Sequence, residues 1–107
     1  MKRIDIRAFT FAIAMAVVLT LSLSVHAQDA SALYKSKCAA CHGADGTSSA
    51  TGKKMGAHDF TSADVQKMSD TELADIITNG KNKMPKFDFP PDVVAGLVAR
   101  IRAAKGR

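Results

Sequence analysis

Cys38-Ala39-Ala40-Cys41-His42 is the stretch on which the reading of this chain turns. On a helical turn, residues three and four apart share a face, so both thiols and the imidazole can be presented to one object. Three familiar chemistries compete for such a pair of cysteines: a structural disulfide, a thioredoxin-like redox couple and half of a zinc site. The redox couple belongs in a βαβ context, and a closed zinc site takes four ligands. No period-two pattern of useful length surrounds the motif, and after His42 only His58 is left as a further histidine.

The C-x-x-C-H pattern is instead the signature of c-type haem attachment. Each thiol of Cys38 and Cys41 can add to a haem vinyl group while His42 turns its imidazole to the iron, so one short segment both anchors the ring and ligates the metal. One covalent haem c is therefore the expected cofactor. Thioether bonds prevent its loss from a small fold, and the ring's apolar faces add to the core.

The N-terminus fits this reading. Met1 to Arg7 carries Lys2, Arg3 and Arg7, an uncharged and mostly apolar run follows from Ala8 to Leu23, and Val25-His26-Ala27 offers a small-residue exit. These are the parts of a secretory signal, with cleavage expected after Ala27 and a periplasmic or otherwise exported product. The apolar run is shorter than the ~20 residues that span a bilayer. If retained, it would tether the same domain to a membrane.

Removal of residues 1–27 from the 107 leaves 80 residues, one domain at 28–107. That length is near the low end of what a single core stabilises without a cofactor, metal or disulfide. With one tyrosine and no tryptophan, the chain is short of apolar bulk. Taking Lys2, Arg3, Arg7 and Asp5 from the 15 basic and 10 acidic residues leaves 12 and 9, a mildly basic domain. The surplus is too scattered for a nucleic-acid surface, which needs a dense basic stripe with aromatic platforms. A redox protein with an acidic docking surface is the expected partner.

Helical signals dominate the mature chain. Asp29 or Ser31 can cap a first helix running to about Cys41. The small-residue stretch from Gly43 to Gly56 reads as loop. Ser62 can cap a short helical turn through Lys67, and Ser69 with Glu72 forms a capping box that opens a helix ending at about Asn79, before Gly80. Leu73, Ile76 and Ile77 make its buried face. Lys81 to Phe89 reads as irregular. Pro90 and Pro91 suit a first helical turn, after which Val93, Val94, Leu97, Val98 and Ile101 recur at helical spacing. The fold class is all-α, three to four helices with long loops around one haem.

At this point the chain resembles the class I c-type cytochromes over essentially all of its mature length. The resemblance rests on the attachment motif near the N-terminus, on Tyr34 four residues before Cys38, and on Gly80-Lys81-Asn82-Lys83-Met84-Pro85, which is similar to the family's G-x-x-x-M-P ligand loop. A terminal helix closing on the first helix is a weaker match. The resemblance implies Cys38 and Cys41 as thioether sites, His42 and Met84 as axial ligands of the iron, and Tyr34 and Pro85 as haem-packing residues. Met84 sits past a Gly80 cap and before a stiff Pro85, whereas its rivals Met55, Met68 and His58 occupy other contexts.

Thioether sulfur is a soft ligand that raises the reduction potential, and six-coordinate iron has no open position for substrate. The implied function is single-electron transfer, without catalysis. The alternatives are a haem c subunit of a larger oxidoreductase and an open-site haem protein that binds a small ligand.

Two departures from the family stand out. Ala30 occupies a place that commonly holds glycine, and Arg100 a place on the last helix that commonly holds an aromatic residue. Leu97 is the expected substitute to pack on Tyr34. No proline follows the motif within 43–56 to supply a backbone acceptor for His42 Nδ1. Lys35 and Lys37 before the motif, with Lys81, Lys83 and Lys86 about the ligand loop, are expected to ring the haem edge.

Overall fold

The computed structural model describes residues 29–104, so the leader expected at 1–27 and its cleavage lie outside the described residues. Helix α1 covers residues 29–42, α2 Ala50–Lys54, α3 Ala63–Lys67, α4 Asp70–Asn79 and α5 Pro91–Ala103. The all-α expectation is met, with five helical elements among the described residues in place of three to four. Among the described residues none is long and apolar enough to cross a membrane.

The caps follow from side-chain chemistry. Ser62 Oγ accepts from Val65 N–H to open α3. At α4 the capping box is complete: Ser69 Oγ accepts from the Glu72 amide while Glu72 accepts from the Ser69 amide at 2.7 Å. Each bond satisfies an amide that has no partner within its own helix. Pro91 stands in the first turn of α5, where its missing amide costs nothing.

One expectation fails. The stretch 43–56 is not all loop, because α2 forms inside it. Ser49 is the reason: its hydroxyl accepts from Gly52 N–H and donates to the Ala40 carbonyl at 2.6 Å, and its amide donates to the Cys41 carbonyl at 3.0 Å. A single serine thus caps the start of α2 and satisfies carbonyls left over at the end of α1. Its cap preference was visible in the sequence, but a stretch rich in Gly, Ser and Thr masked it.

The core gathers Ala30 and Tyr34 of α1, Phe60 from the loop before α3, Val65 of α3, Leu73 and Ile77 of α4, and Val93, Val94, Leu97, Val98 and Ile101 of α5. All five apolar positions predicted for the terminal helix are buried. On α4, Leu73 and Ile77 are buried, while Ile76 is half-buried and faces a cleft. Helices α1 and α5 meet closely at Ala30 and Gly96: a Cβ on Gly96 would stand 2.8 Å from that of Ala30. The small residue expected on the first helix is thereby matched by a smaller one on the last.

Arg102 and Gln66 lock the far end of the domain. Arg102 pairs with Asp70 at 2.9 Å and donates to the Gln66 carbonyl at 3.0 Å and to the Met68 carbonyl, which fastens α5 to the junction between α3 and α4. Gln66 Nε2 donates to the carbonyls of Phe60 and Ile101 at 2.6 and 3.0 Å.

Candidate haem site

The attachment motif sits at an irregular point of its helix. From Tyr34 to Cys38 the backbone is a π-turn, closed by the Ala39 amide on the Tyr34 carbonyl, and α-helix resumes over Ala39–His42. Such bulges occur often at functional sites, because one extra residue per turn re-aims the side chains that follow. Here the bulge ends at Cys38, so Cys38 to Cys41 keeps α-helical spacing.

Gly52 sets how tightly α2 packs beneath this segment. A Cβ there would lie 1.8 Å from the Cys41 carbonyl oxygen, so only glycine permits the approach. On the other side, Tyr34 is buried and its hydroxyl donates to the Gly43 carbonyl at 2.6 Å, immediately after His42. The motif is held from both flanks.

Downstream, the loop after α4 is built as a small hairpin. Gly80 adopts φ of 75°, a conformation closed to most side chains, and its amide still bonds the Ile76 carbonyl at 2.9 Å. Lys81 and Met84 then exchange backbone hydrogen bonds at 3.1 and 2.9 Å across a turn containing Asn82 at φ of 54°. Asparagine tolerates that left-handed region better than most residues. The Phe87 amide returns the chain to the Ile77 carbonyl at 3.0 Å.

These two constructions share one cleft of about 530 Å³. Cys38, Cys41 and His42 line it from α1, Met84 and Pro85 from the loop, and Leu73, Ile76, Ile77, Phe87, Leu97 and Ile101 give it apolar walls. Tyr34, Phe60 and Met68 also reach it, as do Lys37, Lys81 and Lys83, while Met55 stands exposed at 42% on its rim. Lys35 and Lys86 are exposed. A cleft of this volume, mostly apolar with a few convergent donors, is what a large flat cofactor requires.

The donor set fits a haem on the chemistry of its members. Cys38 and Cys41 are free thiols, available for thioether bonds. Burial pushes the Cys38 thiol up, with the Arg100 charge in opposition; a redox-active pair needs the opposite shift, toward thiolate. Among the described residues no three His, Cys, Asp or Glu side chains gather as a metal site.

Burial also holds His42 below the ordinary imidazole range, which favours the neutral ring that can ligate a metal. The backbone of His58 lies beside the ring and partly offsets that effect, yet no group is aligned to bond the buried Nδ1. An unpartnered buried nitrogen is costly, and no backbone carbonyl is aligned to take its proton. Phe60 stacks on the imidazole at 4.7 Å between centroids, a contact nothing in the sequence signalled.

Two other contacts differ from expectation or were not foreseen. The ring of Tyr34 is covered by the Arg100 guanidinium, 4.2 Å from its centroid, while Leu97, the residue expected against it, is buried in the same core cluster. His58 is exposed, neighbours the His42 ring and also lines the cleft.

Comparison with known proteins agrees with this geometry. The profile of the family described as cytochrome C oxidase, cbb3-type, subunit III matches residues 26–99. A solved structure described as the KustC0563 c-type cytochrome superposes with a TM-score of 0.65 at 34% identity, covering 70% of this chain and 95% of its own. No curated protein matches the sequence. On these two likenesses the chain belongs to the c-type cytochromes, in the family described as cytochrome C oxidase, cbb3-type, subunit III, and its cofactor is covalently bound haem c.

Proposed function

We propose that the protein is a single-electron carrier in which Cys38 and Cys41 hold haem c by thioether bonds and His42 and Met84 ligate its iron. The observation that carries the proposal is the convergence of all four side chains on one apolar cleft, from two segments separately stiffened by backbone hydrogen bonds. When bound, the haem supplies the one-electron couple. The chain's own residues would hold the ring in a mostly apolar cleft and fix its ligands.

Met84 is favoured over its rivals by position. His58 also lines the cleft, but it stands beside His42, whereas Met84 enters from a separate segment. Met68 and Met84 are both half-buried against the core, and Met55 is exposed on the rim; Met84 is preferred because it sits in the loop stiffened by its backbone bonds to Lys81 and followed by Pro85. Replacing Met84 by Ala should abolish the weak methionine-to-iron absorption band of the ferric protein, lower the potential and admit carbon monoxide, whereas His58→Ala should leave all three nearly unchanged. The reverse pattern would assign the sixth ligand to His58.

An exported location follows from the leader read in residues 1–27, and the lysines at the cleft, Lys37, Lys81 and Lys83, suit an acidic redox partner. A second reading is supported by the description of the matched family: a haem c subunit docked in a larger oxidoreductase. Native mass of the protein isolated from its own membranes and periplasm separates the two, since a free carrier runs at the size of the domain alone.

A further inference from the structure

Arg100, on α5, turns toward the attachment helix. Its guanidinium lies over the Tyr34 ring at 4.2 Å from the centroid, Nη1 donates to Ser31 Oγ at 3.2 Å and Nη2 donates to the Ala44 carbonyl at 3.3 Å. It therefore touches α1 near its start, at its middle through Tyr34, and just past its end. Tyr34 carries the contact onward, because its hydroxyl holds the Gly43 carbonyl next to His42. The same corner contains a small cavity of about 180 Å³ bordered by Tyr34, Phe60, Asp45 and Arg100.

We propose that Arg100 is a positioning residue of the haem site that also sets its charge: the cation–π clamp on Tyr34 fixes the attachment helix, and the guanidinium's permanent charge raises the reduction potential. The proposal deepens the electron-carrier reading and rests on it. Uptake of one electron from a redox protein lowers the net charge of the site by one, so a fixed positive charge nearby favours the reduced form. Arg100 is half-buried, which limits screening by salt. It stands one ring away from the cleft, because the Tyr34 ring it covers lines the cleft, and its charge opposes the upward shift of the Cys38 thiol. Asp45 is the countercharge at this corner: it acts on the Tyr34 phenol in the opposite sense to Arg100 while accepting from the Thr47 amide and hydroxyl at 3.0 and 2.6 Å.

An aromatic side chain at position 100 could stack on Tyr34 without a charge, and lysine could supply the charge without the planar guanidinium. Substitutions therefore separate the two roles. In the full-length, haem-loaded protein, potentials from spectroscopic redox titration should be close to wild type for Arg100→Lys, shifted down for Arg100→Phe and Arg100→Gln, and shifted up for Asp45→Asn. Denaturant midpoints should follow a different order, with Arg100→Phe near wild type and Arg100→Lys and Arg100→Gln lower. A wild-type potential in Arg100→Phe, or a fall in Arg100→Lys as large as in Arg100→Gln, would overturn the charge role. A denaturant midpoint of Arg100→Gln equal to wild type would overturn the clamp. If Arg100→Gln fails to fold, the Lys, Phe and Asp45→Asn proteins still decide. Failure of the carrier reading would instead appear in the wild type, as a missing methionine band and ready carbon monoxide binding.

Discussion

At the scale of single residues, the site depends on groups that are small or hydrogen-bonded as much as on its ligands. Gly52 is the sharpest case. The Cys41 carbonyl stands where its Cβ would be, so Gly52→Ala must move α2 away from the attachment helix or bend the motif. Overpacking of this kind costs about 1–3 kcal/mol. The variant should show that loss in denaturant unfolding and a lower yield of haem attachment on export. An unchanged unfolding midpoint would mean that α2 slides freely over Cys41. Tyr34 shows the complementary lesson, because a residue placed by family likeness as a packing group also donates a hydrogen bond that fixes the backbone after His42.

At the scale of elements, the caps decide where helices begin, and one of them titrates. The Ser69 amide and hydroxyl hold the Glu72 carboxyl below the usual glutamate range by hydrogen bonding to its charged form. A depressed folded-state value means that the stabilisation is complete above the unfolded value of about 4.3 and is lost as pH falls through the folded value. The stability gap between wild type and Glu72→Ala should therefore be widest at neutral pH and close in acid, which urea titrations at several pH values would reveal. Ser69→Ala removes the other half of the box and should cost about 1 kcal/mol. A gap that grew on acidification would show that Glu72 does not act as the cap.

At the scale of the whole molecule, the helices of the described residues enclose an apolar cleft whose rim carries Lys37, Lys81 and Lys83. Surface charges act over roughly a Debye length, about 10 Å at 0.1 M salt. If these lysines steer an acidic partner, the second-order electron-transfer rate should fall steeply as ionic strength rises, while the haem spectrum stays constant. Lys83→Glu should lower that rate further at low salt and lose most of its effect at high salt. A rate indifferent to salt would remove the docking role of the lysine rim.

What was legible in the sequence is what short-range chemistry encodes. The C-x-x-C-H spacing, the Ser69 and Glu72 cap, Pro90 and Pro91 before an apolar helix, and Gly80 ahead of Met84 each act within a few residues, so α3, α4 and α5 could be placed before any contact was known. The convergence of Cys38, Cys41, His42 and Met84 was expected only through likeness to a family, because a separation of some forty residues carries no local signal. The tertiary structure alone decided the rest. Helix α2 exists because Ser49 finds the carbonyls of Ala40 and Cys41, and Phe60 stacks on His42 because the loop that carries it is fastened to the Gly46 carbonyl. Arg100 covers Tyr34 only because Ala30 and Gly96 let α1 and α5 meet so closely. Each of these contacts joins residues distant in the chain, and their free energy appears only when burial brings the partners together.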